Sequence, residues 1–406
     1  MQLKNSLFNV EPQGFSKDIK VPSSKSYANR AIILASLSKE SVEIFNLPLS
    51  HDVTNLISCL RLIGLKIIDI EDGIRIENSF PECESKEDSI IKLLPGDGGT
   101  TTRFLIPLLS LGARTYNVEP SGRMRDRPIS DLLESLVDLW ASVSQCDSWL
   151  TLNGPISPDS RFLNIDASKT TQHATAMALA LAFNNVEVHP VDMSYSTSYW
   201  EMTKDLIKEF LKGKKSFIVP VDFSSMSYVL ALGADLGRVR VKNCFEVDRF
   251  QSDSIFVKIL REMNYNVSLS STGLEVEKSN NLRTVDFDCS DCPDLVPTLA
   301  FICSRVDGIS KLKNLSVLKY KESDRLFEVQ KLLDLYEIEN SYDAKEDTLL
   351  IHGRSKRTDS RKDIFPPDDH RIVMVSYLFL RANGGGGLSS IESVSKSFAN
   401  FFELLS

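Results

Sequence analysis

Apolar positions along this chain switch repeatedly between helical spacing and strand alternation. Val53, Leu56, Ile57, Leu60 and Ile63 line one face of a helix predicted over 52–63, and Gly64 follows as its stop. The run 42–45 before it alternates as a strand. Residues 65–70 and 74–76 after it read as two short strands about the turn Glu71-Asp72-Gly73. The order then recurs. A helix is predicted over 101–111, with Pro107 kinking it or lying near its end. Next come a strand at 115–118, a helix near 129–140 and a hairpin near 150–156. Further on, 226–236 reads as a helix, 239–241 as a strand, 252–263 as a helix and 267–276 as a hairpin around Gly273.

The unit is therefore loop–helix–strand–helix–strand–strand, which packs helices against mixed sheets in an α/β (α+β) fold. Six short Gly/Ser/Thr/Asp-rich loops open such units, near Ser23, Asp97, Ser168, Asp222, Asp291 and Pro367. Their spacing of about 70 residues is that of a repeated supersecondary element. Each leads into a helix, and a helix N-terminus offers unpaired N–H groups and a positive dipole end. Six of them, several with Lys or Arg close by, suit a protein that holds small, multiply charged anions. No G-x-G-x-x-G follows a strand, so a Rossmann site is not indicated. Gly384–Gly387 reads as a helix stop and turn, and Lys212-Gly213-Lys214-Lys215 as a solvated turn where a domain crossover could fall.

Composition narrows the partners. A length of 406 residues exceeds one core and predicts about two domains. The net charge of −8 argues against a nucleic-acid binder, so any anion site is a local concentration of cations in an acidic protein. No apolar run approaches ~18 residues and the first residues hold no apolar core of a signal peptide, so neither membrane nor export is expected. Seven scattered cysteines fit free thiols in a reducing, cytoplasmic setting. Cys289 and Cys292 form one C-x2-C with no second pair and no nearby histidine, so no metal is expected.

The loops carry candidate chemistry. Lys25, Ser26 and Arg30 sit at a helix start, as either an anion site or a serine cap with two solvated charges. Gly98-Gly99-Thr100 lets backbone approach a ligand, with Arg103 following, or is merely a turn. Arg123, Arg125 and Arg127 lie between Gly122 and Pro128, where a ligand-facing loop competes with a solvated charge run. Lys321-Glu322-Ser323-Asp324-Arg325 and Asp369-His370-Arg371 open two more helices, His370 reading by itself as a structural histidine. Asp294 after Pro293 is either a helix-terminal carboxylate or, held ionised among cations, a base.

Together PSSKSYANR, GGTTTRF, GRMRDRPI, TTQ, STSY, DFSSMSY, PD, KESDR, DHR and SKSF stand in one order from Val21 to Phe402. In this the chain resembles the 5-enolpyruvylshikimate-3-phosphate synthase family. The resemblance implies two similar globular domains, each of three βαβαββ units, with the active site in the cleft between them. It places residues 1–19 with 220–406 in one domain and 20–219 in the other. It implies transfer of the enolpyruvyl group of phosphoenolpyruvate to the 5-hydroxyl of shikimate 3-phosphate, with release of phosphate and no cofactor or metal. Lys25, Ser26, Arg30, Thr170, Thr171, Gln172, Ser196, Asp294 and Lys321 would then hold shikimate 3-phosphate. Lys25, Gly99, Arg127, Gln172, Arg325, Arg371 and Lys396 would hold phosphoenolpyruvate. Asp294 is the implied base and Glu322 the implied acid, with Lys25 its rival.

The pattern departs from the family at Asp97 and Asp368, where asparagine is usual, at Thr170 and Thr171, which replace serines, and at Val317. Two alternatives remain. A UDP-N-acetylglucosamine enolpyruvyl transferase usually carries a cysteine in the loop 122–127, and this chain has none there. A non-catalytic anion-binding relative has no need of Asp294 and Glu322 together. The expected particle is a monomer.

Overall fold

The computed structural model describes residues 7–85, 89–146, 149–157 and 160–406. Its contacts divide the chain into two units, Ser23–Pro220 and Met1–Pro22 with Val221–Ser406.

In the unit Ser23–Pro220, one four-stranded sheet runs in the order Ser216–Ile218, Val42–Phe45, Gly73–Ile76, Ile67–Ile70. A second runs Ile91–Gly96, Thr115–Pro120, Leu150–Asn153, Ser142–Gln145. In each the first pair is parallel and the rest antiparallel. The parallel pair needs a crossover, which the helix Gly99–Leu109 supplies in the second sheet. The third repeat holds only the parallel pair Phe162–Asp166 and Glu187–Val191. The other unit repeats this plan. Its sheets are Asn266–Ser270, Gly273–Glu277, Gly237–Val241, Phe15–Ile19, and Asp286–Asp288, Gly308–Lys313, Thr348–Gly353, Asn340–Asp343. Its third repeat again has two strands, Phe8–Val10 antiparallel to Gly386–Leu388. The expected six-fold βαβαββ count is thus met in full by four repeats. The other two lack the closing hairpin among the described residues.

Three helices fill the middle of each unit. Lys25–Leu37, Gly99–Leu109 and Gln172–Ala180 pack on one another in the first, and Phe223–Leu236, Val296–Ser304 and His370–Ala382 in the second. Every residue of Val296–Ser304 and His370–Ala382 is buried, so these helices are enclosed on all sides and show no amphipathic stripe. They are the helices that the six loops open. The striped helices, such as His51–Leu62 and Ile255–Glu262, bury one face only.

Several local expectations shift. The hairpin placed near 150–156 pairs Ser142–Gln145 with Leu150–Asn153, because the strand SVSQ is mostly polar and exposed and left no apolar signal. The helix expected from 101 starts at Gly99, and Pro107 falls two residues before its last residue, Leu109. Gly386 and Gly387 belong to a strand, and a Cβ on Gly386 would meet the Lys362 carbonyl oxygen at 1.5 Å. Only glycine permits that approach.

The packing of helix Phe223–Leu236 on its own following strand is equally close. A Cβ at Gly233 would lie 2.5 Å from Val239 Cγ1 and 2.9 Å from Val239 N. The second contact is backbone and cannot rotate away. Gly233→Ala is expected to destabilise the protein by about 1–3 kcal/mol, read as a lower urea midpoint at unchanged slope.

Candidate functional site

In the unit Ser23–Pro220 the three inner helix starts are tied together. Ser24 caps the first, its hydroxyl accepting from Tyr27 N at 3.3 Å. Lys25 in the first turn pairs with the buried Asp52 at 3.0 Å. Asp52 in turn abuts the second helix start, since its carbonyl accepts from Thr101 Oγ1 at 2.9 Å. Asn29 donates to Thr100 Oγ1 at 2.9 Å. Arg103, one turn into that helix, donates to Gln172 Oε1 at 2.8 Å and so reaches the third helix start. Its other Nη donates to the Pro128 carbonyl at 2.7 Å, which fixes the end of the arginine loop.

Gly99 sits between guanidinium groups. A Cβ there would meet Arg127 Nη1 at 2.6 Å and Arg103 Nη1 at 3.1 Å. The absent side chain is what lets two cations face the same helix N-terminus. Arg30 is buried as well, donating to Thr203 Oγ1 and to the Ser26 carbonyl, both at 2.8 Å. The rings of Phe104 and Tyr199 lie 5.4 and 5.6 Å from its guanidinium. Among the described residues no carboxylate lies within 4 Å of Arg30, Arg103 or Arg127. Burial pulls Arg30 down to about 10, and burial together with Arg127 pulls Arg103 well below the usual arginine range. These groups remain cations and lack a counter-charge. Burial also lowers the neighbouring His173 to about 4, so its ring is neutral at pH 7, and its Nε2–H donates to the Pro128 carbonyl at 3.2 Å.

Thr170 and Thr171 lie at the start of the third helix, where Thr170 Oγ1 accepts from Gln172 N at 3.3 Å. Ser196 adopts a left-handed conformation (φ 56°) just before helix Thr197–Leu211. Lys25, Gly99, Arg127 and Gln172 are thus brought together through Arg103, which the Gly98-Gly99-Thr100 loop had marked without a substrate role, and through Asp52, which no loop motif had marked. Asp52 left no signal because it lies in a helix outside the six loops.

The other unit shows the opposite balance. Asp294, 29% exposed, accepts Arg325 Nη1 at 2.7 Å, Lys321 Nζ at 3.3 Å and Arg371 Nη2 at 3.2 Å. Glu322 accepts His370 Nδ1 at 2.7 Å and Lys396 Nζ at 3.1 Å. Asp369, fully buried, takes Arg325 through Nε at 2.7 Å and Nη2 at 3.1 Å, with Ser323 Oγ and Arg371 N both at 3.0 Å. Burial pushes all three carboxyls up, but the adjoining cations win and hold them below the usual carboxylate range. His370 is therefore a partner of Glu322 rather than a purely structural histidine. Asp369, seen in the sequence only as part of DHR, is the central anchor of Arg325. Glu322, Asp369 and His370 bring possible metal-ligating atoms within 4.8 Å of one another. Arg325 and Lys396 already neutralise those carboxylates, so a metal cation there would face two fixed positive charges.

Comparison with known proteins bears on the family and the fold. A model of the EPSP synthase (3-phosphoshikimate 1-carboxyvinyltransferase) family matches residues 10–212 and 211–405. A 3-phosphoshikimate 1-carboxyvinyltransferase of Saccharolobus islandicus is 29% identical, the match covering 98% of this chain and 97% of that protein. One from Thermococcus kodakarensis is 31% identical over 95% of this chain and 96% of its own. The solved EPSP synthase of Acinetobacter baumannii superposes with a TM-score of 0.77 at 19% identity, covering 98% and 97% of the two chains. The enolpyruvyl transferase NikO of Streptomyces tendae gives 0.73 at 14% identity, covering 98% and 95%.

Asp369→Asn removes the fully buried carboxylate that holds Arg325 through two nitrogens and also takes Ser323 Oγ and Arg371 N. It is expected to cost about 3–5 kcal/mol in urea unfolding. Depressed carboxyls stabilise the fold above their unfolded pKa and lose that contribution as pH falls through the folded one. The wild-type advantage over Asp369→Asn should therefore shrink as pH is lowered beneath about 4, as thermal melts in an acid series will measure.

Proposed function

The chain belongs to the EPSP synthase family, and from that premise we propose how its two sets of buried charges divide the work of a 3-phosphoshikimate 1-carboxyvinyltransferase. The protein moves the enolpyruvyl group of phosphoenolpyruvate onto the 5-hydroxyl of shikimate 3-phosphate and releases phosphate, a step toward the aromatic amino acids. The observation that carries the assignment is the buried Arg103 beside the half-buried Arg127 at Gly99, with no carboxylate in ion-pairing range of either among the described residues. A buried, uncompensated guanidinium costs free energy and is best explained by an anion that completes it.

In this reading Lys25, Ser26, Arg30, Thr170, Thr171, Gln172 and Ser196 hold shikimate 3-phosphate, joined by Asp294 and Lys321. Lys25, Gly99, Arg127, Gln172, Arg325, Arg371 and Lys396 hold phosphoenolpyruvate. Charge-assisted hydrogen bonds of this kind contribute about 1.5–3 kcal/mol each. Asp294 takes the proton of the 5-hydroxyl as its oxygen bonds to C2 of phosphoenolpyruvate, while a proton is delivered to C3. The tetrahedral adduct then loses a proton from C3 and expels phosphate from C2, which restores the double bond. Both oxygens of Glu322 are engaged by His370 and Lys396, so Glu322 delivers a proton only after receiving one from that pair. The ammonium of Lys25, paired with Asp52, is the competing source. The protein is taken to be a cytoplasmic monomer, its free cysteines fitting a reducing compartment.

Phosphate release with both substrates present tests the assignment. Signal is expected only when shikimate 3-phosphate and phosphoenolpyruvate are both supplied, and UDP-N-acetylglucosamine should not replace the former. Asp294→Asn is expected to bind shikimate 3-phosphate yet turn over at least ~10²-fold more slowly. Unchanged turnover would remove Asp294 from the role of base.

A further inference from the structure

Several buried polar atoms near Arg371 have no hydrogen-bond partner. They are Arg371 Nε, both carboxylate oxygens of Asp253, Ser224 Oγ, Ser252 Oγ and Tyr228 OH. Buried polar groups are almost always paired, so an isolated gap is ordinary and a cluster is not. Asp253 is the costliest member, a carboxylate with no solvent exposure. It sits in the turn Ser252–Ser254, between Gln251 and helix Ile255–Glu262. Gln251 pins that turn to the start of helix Phe223–Leu236, accepting from Phe223 N at 3.0 Å and donating to the Val221 carbonyl at 2.8 Å.

The groups around Asp253 come from three elements. Helix His370–Ala382 presents Arg371, the turn Pro293–Leu295 presents Asp294, and the preceding residue offers the Cys292 thiol. The start of helix Phe223–Leu236 presents Asp222 and Ser224, and Tyr228 lies further along it beside Arg371. The Ser224 hydroxyl favours the charge on Asp253, although no hydrogen bond closes. Burial raises the Asp253 carboxyl to about 6, with Arg371 opposing and Asp294 adding to the rise. In this state Asp253 contributes nothing evident to stability. Its one strong potential partner is Arg371, whose Nη2 is engaged by Asp294 while Nε bonds to nothing.

Asp294 is itself overcommitted, with three cations on two oxygens. A base must shed some of them before it can accept a proton. We propose that Asp253 is a positioning residue, the alternate carboxylate for Arg371. When the anionic groups of phosphoenolpyruvate draw Arg371 off Asp294, Arg371 Nε closes on Asp253, and an Asp294 oxygen opens toward the acceptor hydroxyl. The step rests on the reading above, in which Arg371 holds phosphoenolpyruvate and Asp294 is the base. Asp253 touches neither substrate.

Two variants test it. Asp253→Asn keeps an acceptor without the charge, and Asp253→Ala removes both. The expected result is kcat about tenfold lower in the alanine variant and an intermediate loss in the asparagine one. The KM for phosphoenolpyruvate should rise in both, with the Kd for shikimate 3-phosphate unchanged by calorimetry. With Arg371 left on Asp294, the acid limb of the kcat profile should move to lower pH. A purely structural role predicts a lower Tm in Asp253→Asn, whereas removal of an unpaired buried charge predicts a Tm no lower than wild type.

The sign of the pH dependence follows from a raised carboxyl. The folded protein holds the proton longer than the unfolded chain, so wild type loses stability relative to Asp253→Asn as pH rises from about 4 to about 6. The Tm gap should widen over that window. Active wild type with unchanged kcat and phosphoenolpyruvate KM in both variants overturns this proposal alone. So does a fall in Tm accompanied by equal loss of shikimate 3-phosphate binding. A wild type that releases no phosphate overturns the function reading, and this proposal with it.

Discussion

The cost of taking a guanidinium out of water governs both halves of this molecule, and each half meets it differently. In the unit Ser23–Pro220, Arg30 is met by a hydroxyl, a carbonyl and two aromatic rings, and Arg103 by an amide and a carbonyl. Neutral oxygens satisfy the N–H groups but leave the charge. The missing side chain at Gly99 admits Arg127 beside Arg103, and the helix N-terminus there adds further positive potential. In the other unit Arg325 is enclosed by Asp369, Asp294 and Glu322, so its charge is more than matched. One unit leaves its buried guanidinium groups without carboxylates among the described residues and the other pairs its cations with them, which is the division expected when anions bind and a carboxylate must act.

The pairing has a drawback. The cations that keep Asp294 and Glu322 ionised also hold them low, and a low carboxylate is a weak base. Incoming anions relieve this directly, since each new negative group competes for the same Arg and Lys side chains. On the roles proposed above, substrate binding and activation of the base are a single electrostatic exchange. No separate switch is required.

Much of this was legible in the sequence, for identifiable reasons. The loop motifs carry Gly, Ser, Lys and Arg at helix starts, where propensity and chemistry coincide, so Lys25, Arg30, Gly99, Arg325 and Arg371 could be named before any fold. Striped helices such as His51–Leu62 were read from their period. The enclosed helices, buried all round, gave boundaries only through their caps. What escaped was of three kinds. Strand Ser142–Gln145 is polar and exposed, so no alternation marks it. Asp52 and Asp253 lie outside the six opening loops and reach the charged clusters only through tertiary packing. The missing hairpins of the third repeats were hidden because a family plan was extended to segments whose own pattern does not supply two more strands.

The chain is threaded so that one unit begins before the other and ends after it. Strand Phe15–Ile19 lies parallel to Gly237–Val241, and Phe8–Val10 pairs with Gly386–Leu388, near the end of the chain. The inserted unit, Ser23–Pro220, has all its strands within its own span, its first sheet being closed by Ser216–Ile218. During synthesis, which proceeds from the N-terminus at about 5–20 residues per second, the inserted unit can complete its core while the flanking one has, among the described residues, two unpaired strands. Those strands wait with open edges for partners made roughly 220 and 380 residues later. The polar Ser16, Lys17 and Asp18 that make up most of the first strand, and the Asn9 at the centre of the second, keep the nascent edges soluble over that interval.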